Sequence, residues 1–260
     1  MTTGTATKLW ALDGAKFTLD RGLLVVGGTG NIYIPVPTYV IQHPRGLVLV
    51  DTGIAPEAVD DPEGTYGELA THLGLEYTSD LRVDKQLEAV GFKADDITHV
   101  IITHSHFDHT GAIKLFPNAR FYIGAPDLAY AYWPMPAASV FFRTADIEPA
   151  RGFNWNPLTG DHDLFGDGSI QILSLPGHTP GNSSVLVRLP NQNIMLTGDT
   201  VHVPEALSDD LPMPSDYSTL DAVHSIRRLK QIAHANDATI IIQHDPDDWA
   251  KLKALGEAID

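Results

Sequence analysis

Residues 103–111 read Thr-His-Ser-His-Phe-Asp-His-Thr-Gly, which packs His104, His106, Asp108 and His109 into six positions. They come directly after the apolar run Val100, Ile101 and Ile102. Imidazoles two residues apart on an extended or tightly turning segment can point at one cation, and the Asp-His pair behind them can turn toward a second. Imidazole nitrogen and carboxylate oxygen both suit zinc, and such ions turn water into a nucleophile at neutral pH. Iron, manganese or cobalt would accept the same ligands, because affinity alone does not choose among them. A chance cluster of histidines is the bland alternative. Four metal-ligating side chains packed this closely behind a buried strand argue against it.

A two-metal site needs more than four ligands, so other strand ends matter. Residues 175–181 read Leu-Pro-Gly-His-Thr-Pro-Gly and put His178 in a rigid turn. Thr-Gly-Asp-Thr at 197–200 puts Asp199 just after the apolar run Ile194–Leu196, and His244 closes the run Ile240–Ile242. Each candidate stands where a buried strand opens into a loop. The expected division is His104, His106 and His178 on one ion, with Asp108, His109 and His244 on the other. Asp199 would join them, since its two oxygens can bind one metal each.

The elements that must position these residues can be read from hydrophobic pattern and turn chemistry. Strands are expected at Lys8–Leu12, Phe17–Asp20, Leu23–Gly27, Thr38–Gln42 and Leu47–Val50, with a hairpin turn at 43–46. Residues 54–80 carry Pro56, Pro62, Gly64 and Gly67 and read as a long loop with a short helix near Tyr66–Leu73. Leu81–Val90 has helical spacing and ends at Gly91, a suitable C-cap. Strands follow at Ile97–Ile102 and Arg120–Ile123, then a helix at Pro126–Tyr132 and an irregular stretch over 133–168. The second half predicts strands at Ile170–Leu173, Ser183–Leu189, Ile194–Thr197 and Thr239–Ile242. Its helices are Thr219–Ala233 and Pro246–Leu255. Two successions of strands followed by helices predict two mixed β-sheets packed face to face with helices outside, a four-layer αβ/βα sandwich. The 260 residues, 43% apolar and 19% charged, suit one domain over 1–260.

Composition excludes several classes. There is no cysteine, so neither disulfides nor zinc–thiolate sites are available and any metal must be held by His, Asp or Glu. A formal charge of −16 disfavours nucleic acid and anionic membrane surfaces as partners. No apolar run approaches the roughly 20 residues that span a bilayer, and the first residues lack the apolar core of a secretory signal, so a cytoplasmic location is expected.

The motif His-x-His-x-Asp-His at 104–109, with His178, Asp199 and His244, resembles the metallo-β-lactamase superfamily over roughly residues 8–250. Asp51-Thr52-Gly53 after a strand also matches, and the resemblance implies that Asp51 supports the metal ligands from behind. These motifs are specific for fold and metal site, and much less so for substrate. True zinc β-lactamases usually use a cysteine or lack the bridging Asp. Flavodiiron relatives replace the second motif His by Glu. Nucleic-acid-cleaving members sit badly with the charge. Glyoxalase II-like thioesterases share the ligands but usually add a basic C-terminal segment, whereas 250–260 holds only Lys251 and Lys253.

The chain is most similar to the N-acyl-homoserine lactonases in length, in the long loop at 54–80 and in an insertion at about 125–168. That insertion is rich in aromatics, Tyr130, Tyr132, Trp133, Phe141, Phe142, Phe153 and Trp155, which suit an acyl-chain pocket, a local core or a homodimer contact. The resemblance therefore implies hydrolysis of a lactone, with a hydroxide shared by two ions attacking the ring carbonyl. Asp108 or Asp199 would accept a hydrogen bond from the nucleophile. One departure stands out: the lactonases generally carry Tyr three residues after the bridging Asp, and this chain has His202. A histidine there could donate to an oxyanion or protonate a leaving alkoxide, and an exposed loop histidine is the plain alternative. Other cyclic esters, a cyclic amide or carbamate, and a metal-holding binding module without turnover remain as alternatives. His43, His99, His224 and His234 read as structural, and His72 and His162 as loop residues near enough to approach the pocket.

Overall fold

The computed structural model describes residues 4–254 and 258–260. In the first half the strands are β1 (Lys8–Leu12), β2 (Lys16–Asp20), β3 (Asn31–Pro35), β4 (Thr38–His43), β5 (Gly46–Val50), β6 (His99–Ile101), β7 (Arg120–Gly124) and β8 (Asn154–Leu158). The second half adds β9 (His162–Asp163), β10 (Ile170–Ser174), β11 (Ser183–Arg188), β12 (Asn193–Leu196) and β13 (Ala238–Ile241). They build a six-stranded sheet ordered β1-β4-β5-β6-β7-β8, a five-stranded sheet ordered β13-β12-β11-β10-β9, and the separate ribbon β2-β3.

Period-two alternation sorts the side chains into layers. Tyr39, Ile41, Val48, Val50 and Ile101 of the first sheet meet Ile170, Ile172, Val185, Val187 and Leu196 of the second in one shared core. The alternate residues Val40, Leu49, Val100 and Phe121 face outward, where Val83 and Leu87 of α3 (Val83–Ala89) cover them. On the other side Leu186 and Met195 pack beneath Leu229 and Ala233 of α8 (Thr219–Ala235). Both faces of these strands are buried, as fits central layers covered on each side. The result is the four-layer αβ/βα sandwich. Among the described residues no helix is long and apolar enough to cross a membrane.

Several elements depart from the pattern reading. Leu23–Gly27 is not a strand: Arg21–Leu23 forms a 3-10 turn, Asp20 accepts from the Gly22 N–H, and Gly27 takes φ +84°. Leu24 and Val25 are nevertheless buried, held by packing and not by a ladder. The strand in that region is β3, whose Pro35 and neighbouring Pro37 mask it and whose ladder is completed by β2. Residues 54–80 are mostly helical, with a 3-10 turn at Pro56–Val59, α1 at Pro62–Tyr66, α2 at Glu68–His72 and a second 3-10 turn at Ser79–Leu81. Their Pro and Gly residues punctuate short helices where a single loop was expected.

The strand at Ile97–Ile102 is shorter, three residues long. Phe107–Thr110 forms the short α4, and the helix expected at Pro126–Tyr132 is α5 (Ala125–Tyr130). The stretch 133–168 contains α6 (Thr144–Ile147), β8 and β9, and α7 (Pro204–Asp209) has no counterpart in the pattern. The last helix, α9, runs over Pro246–Ala254, and its expected end at Leu255 lies outside the described residues.

Candidate metal centre

Strand direction explains why the candidate residues gather. β5, β6, β7 and β8 run parallel, and β12 runs parallel to β13. β10 shares that direction through two successive antiparallel pairings. Their carboxyl ends therefore open at one edge of each sheet, where loops can converge on a single point. β5 delivers Asp51, β6 delivers residues 103–109, β10 delivers His178, β12 delivers Asp199 and β13 delivers His244.

Two local features make those turns. Asp199 follows Gly198, which holds φ +51°; a Cβ there would lie 2.7 Å from the Ser183 carbonyl oxygen and 3.0 Å from Thr103 Cβ. His178 follows Gly177, where a Cβ would lie 2.4 Å from Ala222 of α8. Only glycine lets these chains approach so closely.

His104, His106, His178 and Asp199 each offer an atom within 4.8 Å of the others, and Asp108, His109 and His244 form a second such group. Asp199 faces both. Its Oδ2 lies 3.4 Å from His178 Nε2 and 3.7 Å from His104 Nε2, while Oδ1 lies 3.3 Å from His109 Nε2 and 3.1 Å from His244 Nε2. His106 Nδ1 and His178 Nε2 stand 3.1 Å apart.

The buried atoms His104 Nε2, His109 Nε2 and Asp199 Oδ1 have no hydrogen-bond partner among the described residues. Leaving such atoms unsatisfied is costly, and a cation between them removes that cost. The donor set is all imidazole and carboxylate, which fits a pair of divalent ions. Burial holds His104 and His106 well below the usual imidazole range, which keeps them neutral, the form that binds metal. Burial works the same way on His109, but Asp199, Asp108 and Asp51 outweigh it and raise that group.

The ring nitrogens that face away are held. Asp51, fully buried, accepts from the Thr103 N–H at 2.8 Å and the Thr103 hydroxyl at 2.9 Å, and its Oδ2 lies 2.9 Å from His109 Nδ1. Gln243 donates to the same oxygen at 3.2 Å. The Pro35 carbonyl lies 2.7 Å from His244 Nδ1.

Sequence reasoning missed two carboxylates. Asp127, fully buried, accepts from the N–H and hydroxyl of Ser105 and from the Gly181 N–H, bracing the histidine loop against the His178 loop. Asp216 meets His178 Nδ1 at 3.0 Å. Neither carries a local signal, because each partner is distant in the chain.

His202 is not an exposed loop residue. It is buried, with Nε2 3.0 Å from Asp199 Oδ2 and its ring against His178 and His244. His106, Asp108, His178, Asp199, His202 and His244 form the floor of a cavity. Its walls are apolar: Phe17, Leu19, Leu24, Ile34, Leu73 and Phe107.

The aromatics of 125–168 divide. Phe141 lines this cavity, while Tyr130 and Phe142 line an adjoining one of about 250 Å³. Phe153 and Trp155 pack on Phe121 as local core, and Trp133 is exposed. His72 is exposed and His162 stacks on Tyr122, so neither reaches the cavity.

A sandwich that opens five strand ends onto one histidine–carboxylate cluster is the build of a metal-dependent hydrolase. The chain belongs to the metallo-β-lactamase superfamily, whose family model matches residues 33–244. It is 36% identical to the N-acyl homoserine lactonase AttM of Rhizobium radiobacter over 236 residues, covering 88% of this chain and 89% of that one. An N-acyl homoserine lactonase of Bacillus cereus is 29% identical over 261 residues, with 98% and 100% covered. Among solved structures, a B. thuringiensis AiiA mutant with N-decanoyl-L-homoserine bound at the active site aligns with a TM-score of 0.86 at 25% identity, covering 98% of this chain and 100% of that one.

Proposed function

We propose that this chain opens the ring of N-acyl-homoserine lactones, a quorum-quenching hydrolysis at a dinuclear centre held by His104, His106, Asp108, His109, His178, Asp199 and His244. The observation that carries the reading is the apolar cavity seated directly on the histidine–carboxylate floor. An amphipathic substrate with an apolar arm and a polar ring fits that division. The similarity to lactonases over most of the chain supports the same substrate class. When bound, a metal pair would acidify a water at neutral pH and polarise the carbonyl oxygen.

The chain's own groups do the rest. Phe17, Leu19, Leu24, Ile34 and Phe107 hold the acyl arm and exclude water from it. Asp108 keeps its carboxylate partly exposed at the cavity floor, 12% accessible, where it can accept a proton from the attacking water and return it to the leaving ring oxygen. His202 stands where the resemblance leads one to expect tyrosine. Its Nε2–H donates to Asp199 at rest and is within reach of a carbonyl placed over that carboxylate. Zinc as the metal, a homodimer as the assembly and the cytoplasm as the compartment belong to the same proposal. Elemental analysis, light scattering and fractionation test them separately.

The deciding experiment compares an N-acyl-homoserine lactone, a simple γ-lactone, a glutathione thioester and a chromogenic β-lactam on zinc-loaded protein. Ring opening of the first, abolished by chelator, is the expected outcome. Turnover of the thioester alone would replace the reading by a glyoxalase II-like one. No turnover of any would favour a binding module.

A further inference from the structure

The histidines of the centre are steadied by different kinds of partner. His109, His104 and His244 turn their Nδ1 atoms to Asp51 at 2.9 Å, Thr103 at 3.2 Å and the Pro35 carbonyl at 2.7 Å. Those partners stand at the ends of β5, β6 and β3, inside the framework. His178 is different. Its Nδ1 lies 3.0 Å from Asp216 Oδ1, and Asp216 belongs to the connection between α7 and α8.

Asp216 is itself buried, its side chain 4% accessible. Its second oxygen accepts the Met213 backbone N–H at 2.8 Å. Two backbone bonds close the same link: the Tyr217 N–H donates to the His178 carbonyl at 3.1 Å, and the Ser218 N–H to Gly177 at 2.9 Å. The connection is also a wall of the substrate space. Met213 and Ser215 line the apolar cavity, and Ser215 and Tyr217 line the adjoining one, which shares His106, Phe141 and His178.

A carboxylate that accepts an Nδ1–H fixes the imidazole tautomer and leaves Nε2 with its lone pair free. In His178 it is Nε2 that faces His106 and Asp199. We propose that Asp216 is a positioning residue that clamps His178 to the substrate-lining 211–218 segment, so that metal affinity and substrate fit change together. The proposal rests on the metal-centre reading above.

The chemistry of the replacement separates the two links. A carboxylate offers two acceptor oxygens, whereas an asparagine amide offers one oxygen and an NH2 donor. Asp216→Asn can therefore serve His178 or Met213 but not both, and Asp216→Ala serves neither. The test loads wild type and both variants with Co²⁺, follows its absorption spectrum during titration with a competing chelator, and measures kcat and KM for N-hexanoyl-homoserine lactone.

For Asp216→Ala the expected result is weaker retention of one of the two ions by about 10- to 100-fold, an altered cobalt spectrum and a raised KM. Asp216→Asn should fall between, and it carries the test if the alanine variant does not fold. Variants with lowered Tm but wild-type cobalt affinity and spectrum would overturn the proposal, because a purely structural role moves only stability. Wild-type protein that takes up no cobalt would overturn the centre itself. Wild type with two ions beside variants of unchanged affinity would overturn only the role of Asp216.

Discussion

The molecule contains two gatherings of histidine, and they differ in what their nitrogens face. At the carboxyl ends of the strands, His104, His106, His109, His178 and His244 surround Asp199, and the buried Nε2 atoms of His104 and His109 have no hydrogen-bond partner among the described residues. At the opposite ends, His43 and His99 gather around aromatic rings, with His162 against Tyr122 at mid-strand. His43 stacks on Phe165 at 4.1 Å, its Nδ1 accepts from the Arg45 N–H at 3.1 Å and its Nε2 lies 3.3 Å from Asp167. His99 packs edge-on to Phe165 and takes up Thr98 at 2.8 Å, and His162 stacks on Tyr122. Crowding alone therefore does not define a metal site. Convergent lone pairs around a shared carboxylate are what a cation needs, whereas rings stacked on aromatic neighbours describe packing.

The largest effect that could break this contrast comes from exchanging substitutions between the two groups. Asp199→Ala or His106→Ala should lower turnover by about 10³-fold or more, the scale set by losing preorganised electrostatic stabilisation, with loss of bound metal by elemental analysis. His43→Ala should lower Tm while keeping metal content and turnover. A His43→Ala protein stripped of metal would erase the distinction.

Next in size is His202→Phe, which removes a donor but no proposed metal ligand. It should reduce kcat by about 10²-fold with two ions still bound. Loss of metal instead would move His202 into the ligand set. Asp51→Asn probes the support behind the centre. Weakening of metal retention by about 10- to 100-fold is expected, read by chelator competition, since Asp51 carries His109, Thr103 and Gln243 together.

The smallest prediction concerns a buried carboxylate outside both groups. Burial raises the Asp146 carboxyl from 3.8 to about 7, against the lowering effect of Arg143 and Lys114. The folded protein then binds this proton more tightly than the unfolded chain. The stability so gained is full below pH 4 and is lost as pH climbs toward 7. Asp146→Asn should remove that loss, so the variant gains on wild type by about 2–3 kcal/mol between pH 5 and pH 8. Thermal unfolding at the two pH values checks it; an equal Tm difference at both would refute the assignment.

The site is most legible in the sequence where its residues are chain neighbours. His104, His106, Asp108 and His109 are chain neighbours, so their shared purpose is visible in one line. Asp199, His178 and His244 each follow an apolar strand and precede a turn, a repeated signature that survives large separations. The sheet strands that read as short, mostly buried runs, β4, β5, β11 and β12, are equally plain. β8 is not: Asn154-Trp-Asn-Pro-Leu158 is polar, contains proline, and becomes a strand only because β7 offers it a parallel edge. Leu24 and Val25 show the reverse, apolar residues that suggested a strand yet bury themselves from a turn.

By itself the sequence determined the sandwich and the imidazole and carboxylate donors that its strand ends present, because side-chain type and short-range spacing carry that information. Tertiary structure alone decided which partner steadies each imidazole, that His202 lies buried against Asp199, and that Asp216 reaches His178 from 38 residues away. Those outcomes depend on where strand ends and loops meet in space. A contact between distant residues needs no pattern in either of them, only a fold that brings one acceptor within hydrogen-bond distance of one donor.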